Sequence, residues 1–110
     1  MSKSLILVVL LFAALLEAAG DALVRKGLHA SAGTPRLLFF FAGAAVLFLY
    51  GWTVNTPPWD FGRLLGLYVV FFFLCAQAIS WLVFHQRPSV AVLIGGAFIA
   101  VGGIIISLGR

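Results

Sequence analysis

This 110-residue chain is 64% hydrophobic and 9% charged, with a mean hydropathy of +1.19, whereas a water-soluble domain carries about 25% charged residues. No soluble fold of this size hides so much apolar surface, so an extramembrane catalytic domain is excluded and every segment that is not loop belongs in lipid or against another membrane helix. The net charge of +4 and pI near 10.0 do not imply nucleic acid, because the basic residues lie mostly at the edges of apolar runs, where Lys and Arg flank membrane spans, and no basic face with interleaved aromatics exists.

The first apolar run extends over about residues 4–24 and is expected to end at Arg25-Lys26, in a polar loop that continues through His29 and Gly33-Thr34-Pro35. Lys3 ahead of it and the small residues Ala18, Ala19 and Gly20 within it share features with a signal peptide. Three more apolar runs follow, and Glu17 would sit beside the cleavage site, so an uncleaved first helix is expected. The second run, 37–54, stops at Asn55-Thr56-Pro57-Pro58, where two prolines remove backbone donors. The third, 61–84, ends at His85-Gln86-Arg87-Pro88, and the fourth, 89–108, leaves almost no tail.

At 1.5 Å per residue, runs of roughly 18 to 24 residues match a hydrocarbon core about 30 Å thick. The expectation is an all-α, multi-pass protein of the cell (inner or plasma) membrane, with one four-helix domain over residues 1–110 and both termini on one side. Lys3, Arg63 and Arg110 flank the spans at one end, and Arg25, Lys26, Arg36 and Arg87 at the other. That near balance dictates no orientation. Insertion both ways, and with it an antiparallel dimer, stands beside a single fixed orientation.

Glu17 is the residue that this setting makes expensive. It falls about 18 Å past Leu5 along a standard helix, and an ionised carboxylate in the hydrocarbon costs several kcal/mol unless it is protonated, paired or in a wet cavity. A carboxylate so placed can take a proton or a cation in competition. Asp21 and Arg25 follow at four-residue steps on the same stripe. Asp21 either pairs with Arg25 near the interface or adds a second cation-attracting carboxylate at the mouth of the same cavity. Gly20 beside them allows another backbone or a ligand to approach closely.

In the third run, Gly62 and Gly66 have the spacing of close helix contact. Tyr68 can donate its hydroxyl to a carboxylate or present its face to an organic cation. Gln77 and Ser80 suit interhelical hydrogen bonds. Arg63 either snorkels to the interface or points inward, as an ion-pair partner of Glu17 or Asp21 or a contact for an anionic ligand. In the fourth run, the pairs Gly95-Gly96 and Gly102-Gly103 recur at seven residues and predict a glycine groove on one face for dimer packing, with packing inside the protomer as the alternative. The sequence contains no metal-site, catalytic-triad, phosphate-loop or haem motif, so neither a cofactor nor an enzymatic activity is expected. His29 and His85 are expected to be solvated in loops, and Cys75, the single cysteine, to be a small buried residue.

These residues, in this order, resemble the small multidrug resistance transporters of the drug/metabolite transporter superfamily over nearly the whole chain. Leu16-Glu17, Gly20 and Arg25 look like that family's first-helix motif, and Pro58, Gly62 and Tyr68 its third-helix motif. Phe84-His85-Gln86-Arg87 is similar to its loop before helix 4, and Gly95 and Gly102 fall where its dimerisation glycines fall. The resemblance implies an antiparallel homodimer packed through helix 4 that exchanges protons for small organic or guanidinium-type cations at Glu17. The departures are Asp21 at an uncharged position, a long loop between helices 1 and 2, and Arg63 directly after Gly62. Arg63 leaves room for a flippase-type subunit acting on a lipid-linked or anionic substrate, and the glycine grooves for a non-transporting membrane interaction protein.

Overall fold

The computed structural model describes residues 1–109; Arg110, counted above among the flanking charges, lies outside the described residues. Four α-helices follow one another: α1 (Lys3–His29), α2 (Thr34–Val54), α3 (Phe61–Phe84) and α4 (Val90–Leu108). Each is long and apolar enough to cross a membrane. At standard rise they measure about 40, 32, 36 and 28 Å.

Local chemistry sets the ends. Ser2 caps α1 by accepting from the Leu5 N–H at 3.2 Å, and Ser89 caps α4 by accepting from Val92 at the same distance. Pro35 stands in the first turn of α2, where its missing N–H is harmless. At the end of α3, His85 takes the left-handed conformation (φ 57°) and the Gln86 N–H returns to the Ser80 carbonyl at 3.0 Å. This turn satisfies a last-turn carbonyl, and Pro88 follows it.

The structure corrects the first connection. α1 does not stop at Val24 but runs through Arg25 and Lys26 to His29, and α2 starts at Thr34, three residues earlier than the apolar run indicates. Lys and Arg are good helix formers, so the apolar boundary marks where the helix leaves the hydrocarbon rather than where it ends. The long polar loop is in fact residues 30–33, turning at Gly33 with φ 115°. His29 accordingly belongs to α1 and not to a loop.

In space the order is α2, α1, α3, α4: α1 packs on α2 and on α3, and α4 packs on α3 alone. The buried stripe of α1 is Ile6, Leu10, Ala13, Ala14 and Ala18, at helical spacing, and it meets Leu64, Leu67, Tyr68 and Cys75 of α3. Small residues set the α1–α2 distance. A side-chain carbon on Gly20 would stand 2.7 Å from Leu47, and one on Gly43 would stand 2.7 Å from Val24 and 3.2 Å from the Gly20 carbonyl oxygen.

Helix α4 is the least covered element, with only Gly103 buried. Its glycine pairs do not form one groove. A side chain at Gly96 would meet the Phe73 ring of α3 at 2.6 Å, and one at Gly103 would run into Val70, whereas Gly95 and Gly102 face open space. Adjacent residues stand about 100° apart around a helix, so each pair is divided between the seam inside the protomer and the outer face.

Candidate functional site

Glu17 lies on the continuation of the buried stripe of α1, one turn beyond Ala13 and Ala14. It stands about 21 Å from the start of the helix and 18 Å from its end at standard rise, close to the middle of the span. The Tyr68 hydroxyl of α3 donates to Glu17 Oε1 at 2.7 Å and lies 3.4 Å from the Ala13 carbonyl. This is the tyrosine–carboxylate contact that the residue types allow, and it joins the two central helices.

Around that bond stands an aromatic wall. Tyr50 of α2 lies with its ring centroid 5.6 Å from that of Tyr68, and Phe72 stacks on Tyr68 at 6.3 Å. Sequence reasoning missed Tyr50. It lies one turn short of the end of α2, where a tyrosine reads as an ordinary interfacial residue, and only the inward fold of α2 brings it to Tyr68.

Beyond Phe72, towards the end of the bundle that carries the 30–33 connection, an open cavity of about 230 Å³ separates α1 from α3. Asp21 and Arg25 of α1, Phe72 and Phe84 of α3, and the polar groups of Ser80 and Gln86 line it. Glu17 is not in its wall but lies one helical turn deeper than Asp21. The chain therefore places two carboxylates in succession along the approach to mid-span.

Asp21 and Arg25 do not pair: the Arg25 guanidinium lies over the Phe84 ring, 5.3 Å from its centroid, and the Lys26 ammonium is 5.7 Å from the same centroid. A guanidinium on an aromatic face keeps its apolar stem against the protein and its charge towards water. Asp21 is exposed and has no hydrogen-bonding partner among the described residues.

The remaining singled-out residues separate cleanly. Gly20 is buried against Leu47 of α2 and does not open on the cavity. Gly66 faces Ile106 of α4, while Gly62 faces open space. Ser80 donates to the Gln86 carbonyl at 3.3 Å, within its own turn and not across helices. Arg63 reaches neither acid. Its guanidinium sits 4.0 Å from the Trp59 ring centroid and its Nη2 donates to the Ser107 carbonyl of α4 at 3.3 Å, near the helix ends.

A small polytopic membrane protein, four apolar helices with one tyrosine-bound carboxylate at mid-span, is the class that this geometry defines. Over 101 residues the chain is 34% identical to a UPF0060 membrane protein of Herpetosiphon aurantiacus, covering 90% of this chain and 89% of the relative. The chain belongs to the UPF0060 family of membrane proteins. No family model matches it. No solved structure matches it either.

Proposed function

We propose that this protein is a proton-coupled antiporter that exports small organic or guanidinium-type cations, with Glu17 as the group that protons and cargo occupy in turn. The observation that carries this reading is the Glu17 carboxylate, placed mid-span, held by Tyr68 at 2.7 Å and given no basic partner by Arg25 or Arg63. A carboxylate in lipid with no protein cation requires a proton or an external cation to neutralise it. Asp21 and the aromatic faces of the adjoining cavity suit a cation on its way to that site.

Four helices in this arrangement enclose no complete pathway, so the working unit is an antiparallel homodimer in the cell membrane, packed through the outer Gly95 and Gly102 face of α4. Two inverted copies place two Glu17 carboxylates near one midplane, and exchange of the two protomer conformations alternates access. The resemblance to small multidrug resistance transporters supports the same reading. The position of Arg63, away from Glu17 and at the helix ends, gives no support to its acting on an anionic cargo at that site.

Reconstituted into liposomes, the protein is expected to move protons when a gradient of a guanidinium or quaternary ammonium ion is applied, and Glu17→Gln abolishes that flux. Full flux in Glu17→Gln would sink the proposal. Single cysteines introduced at Ala32 or Thr56 test the dimer: labelling of each from both membrane faces is the expected result, and labelling from one face alone contradicts antiparallel pairing.

A further inference from the structure

At the end of the bundle opposite the 30–33 connection, two cations from different helices share one acceptor. Lys3 Nζ of α1 donates to the Ser107 carbonyl at 3.4 Å, and Arg63 Nη2 of α3 donates to the same oxygen at 3.3 Å. Both charges favour the C-terminal end of α4, where unsatisfied carbonyls concentrate negative potential. Both bonds are long, and they leave most of the donors unused. A guanidinium has five N–H groups and an ammonium three, yet Ser107 is the one acceptor either finds among the described residues. Arg63 Nε is buried with no partner among the described residues.

Beside this pair lies an open cavity of about 490 Å³, lined by Asp60, Gly62, Arg63, Ile105, Ile106 and Gly109. Gly62 contributes to its size, since nothing stands within 4 Å of where its side chain would be. The Asp60 carboxylate is exposed and does not cap α3, the helix that it precedes. The cavity therefore carries the Arg63 guanidinium, the exposed Asp60 carboxylate and the apolar side chains of Ile105 and Ile106 in its wall, while Lys3 stays outside the lining on the Ser107 carbonyl. It stands level with the helix ends and beside Trp59, a residue type that concentrates at the boundary between headgroups and hydrocarbon. Tyr68 is five residues deeper on α3, so the Glu17 site is separate.

The geometry points to a binding site for the headgroup of an aminophospholipid, in which Arg63 holds the phosphate, Asp60 accepts from the primary ammonium, and the α4 isoleucines receive the start of the acyl chains. The fork of a guanidinium matches phosphate oxygens in pairs, and basic pockets between helices at the membrane boundary are of the kind that holds lipid headgroups. The carboxylate makes the assignment particular. A plain anionic phosphate would face Asp60 with no compensation, whereas a zwitterion of phosphate and ammonium answers both charges of the lining.

The test is lipid binding by the delipidated full-length protein in detergent, read by native mass spectrometry with phosphatidylethanolamine and phosphatidylcholine of identical acyl chains. These lipids share the phosphate and the positive charge and differ in the ammonium N–H donors. The wild type is expected to prefer phosphatidylethanolamine. Arg63→Ala lowers binding of both lipids about tenfold, the scale on which one charge-assisted contact acts, and Arg63→Lys restores part of it. Asp60→Asn lowers phosphatidylethanolamine binding more than phosphatidylcholine binding and so removes the preference, a readout that misfolding would not imitate. Equal binding of the two lipids by the wild type, or undiminished binding by Arg63→Ala, overturns the proposal. Competition by soluble phosphoethanolamine at the same concentration as the lipid overturns the lipid assignment in favour of a site for free phosphate esters.

Discussion

Tyr68→Phe removes a single oxygen from the candidate site and little else. The ring keeps its contacts with Tyr50 and Phe72, at 5.6 and 6.3 Å, and what disappears is the 2.7 Å bond to Glu17 with its weaker contact to Ala13. Interhelical hydrogen bonds in membranes contribute about 0.6 kcal/mol on average and at most about 1.7, so the loss of stability is expected to be modest. The effect on function is larger, because a bond to an ionised group contributes about 1.5–3 kcal/mol, or roughly ten- to a hundredfold in an equilibrium constant. The bond fixes where the carboxylate stands relative to the α1–α3 cavity, and a carboxylate free to rotate presents that geometry only part of the time. In proteoliposomes at fixed pH, Tyr68→Phe is expected to raise the KM for the cation by about tenfold or more, with thermal unfolding in detergent shifted slightly. A variant with wild-type KM and maximal flux would refute the idea that Tyr68 organises the site. A variant that unfolds early and loses flux in proportion would reassign the hydroxyl to structure alone.

Two further predictions concern glycines. Gly43→Leu forces a side chain into Val24 and the Gly20 carbonyl, at 2.7 and 3.2 Å already for its first carbon, and overpacking of this kind costs about 1–3 kcal/mol; Gly51→Ala, whose added carbon meets nothing within 4 Å, does not lower the thermal midpoint in detergent. On α4, Gly96→Val destabilises the protomer by pressing on Phe73 at 2.6 Å. Gly95→Val leaves protomer stability intact and weakens the proposed dimer, which cross-linking in liposomes against thermal unfolding in detergent separates.

The placement of charge follows one rule throughout the molecule. Arg25 and Lys26 lie over Phe84, Arg36 over Phe40, Arg63 over Trp59 and Arg87 over Trp81, with centroid distances between 4.0 and 5.7 Å. Among the described residues, every basic side chain flanking the spans except Lys3 thus has an aromatic face beneath it. A cation at the membrane boundary keeps its stem apolar and its head wet, and none of these charges is drawn inward to the acids. The carboxylate of Glu17 is left to a hydroxyl, a neutral donor that can hold it without neutralising it.

The number of helices, the membrane as their solvent and the singularity of Glu17 were legible in the sequence, because lipid demands about 20 apolar residues per span and penalises each charge within one. The same rule misplaced the end of α1: hydropathy records where lipid stops, whereas backbone hydrogen bonding, which Arg25 and Lys26 sustain, records where a helix stops. Residue type alone allowed Tyr68 to reach a carboxylate, and one-helix periodicity put Asp21 and Arg25 on one stripe. Which partner each side chain takes depended on helices far away in the chain. Arg25 goes to Phe84 on α3, Arg63 to Ser107 on α4, and Tyr50 comes from α2 to stand against Tyr68. The glycines of α4 show the reason most directly. Their seven-residue repeat is written in the sequence, but only the position of α3 decides that Gly96 and Gly103 are covered while Gly95 and Gly102 stay open, because a periodic pattern defines faces and the packing of a second helix chooses among them.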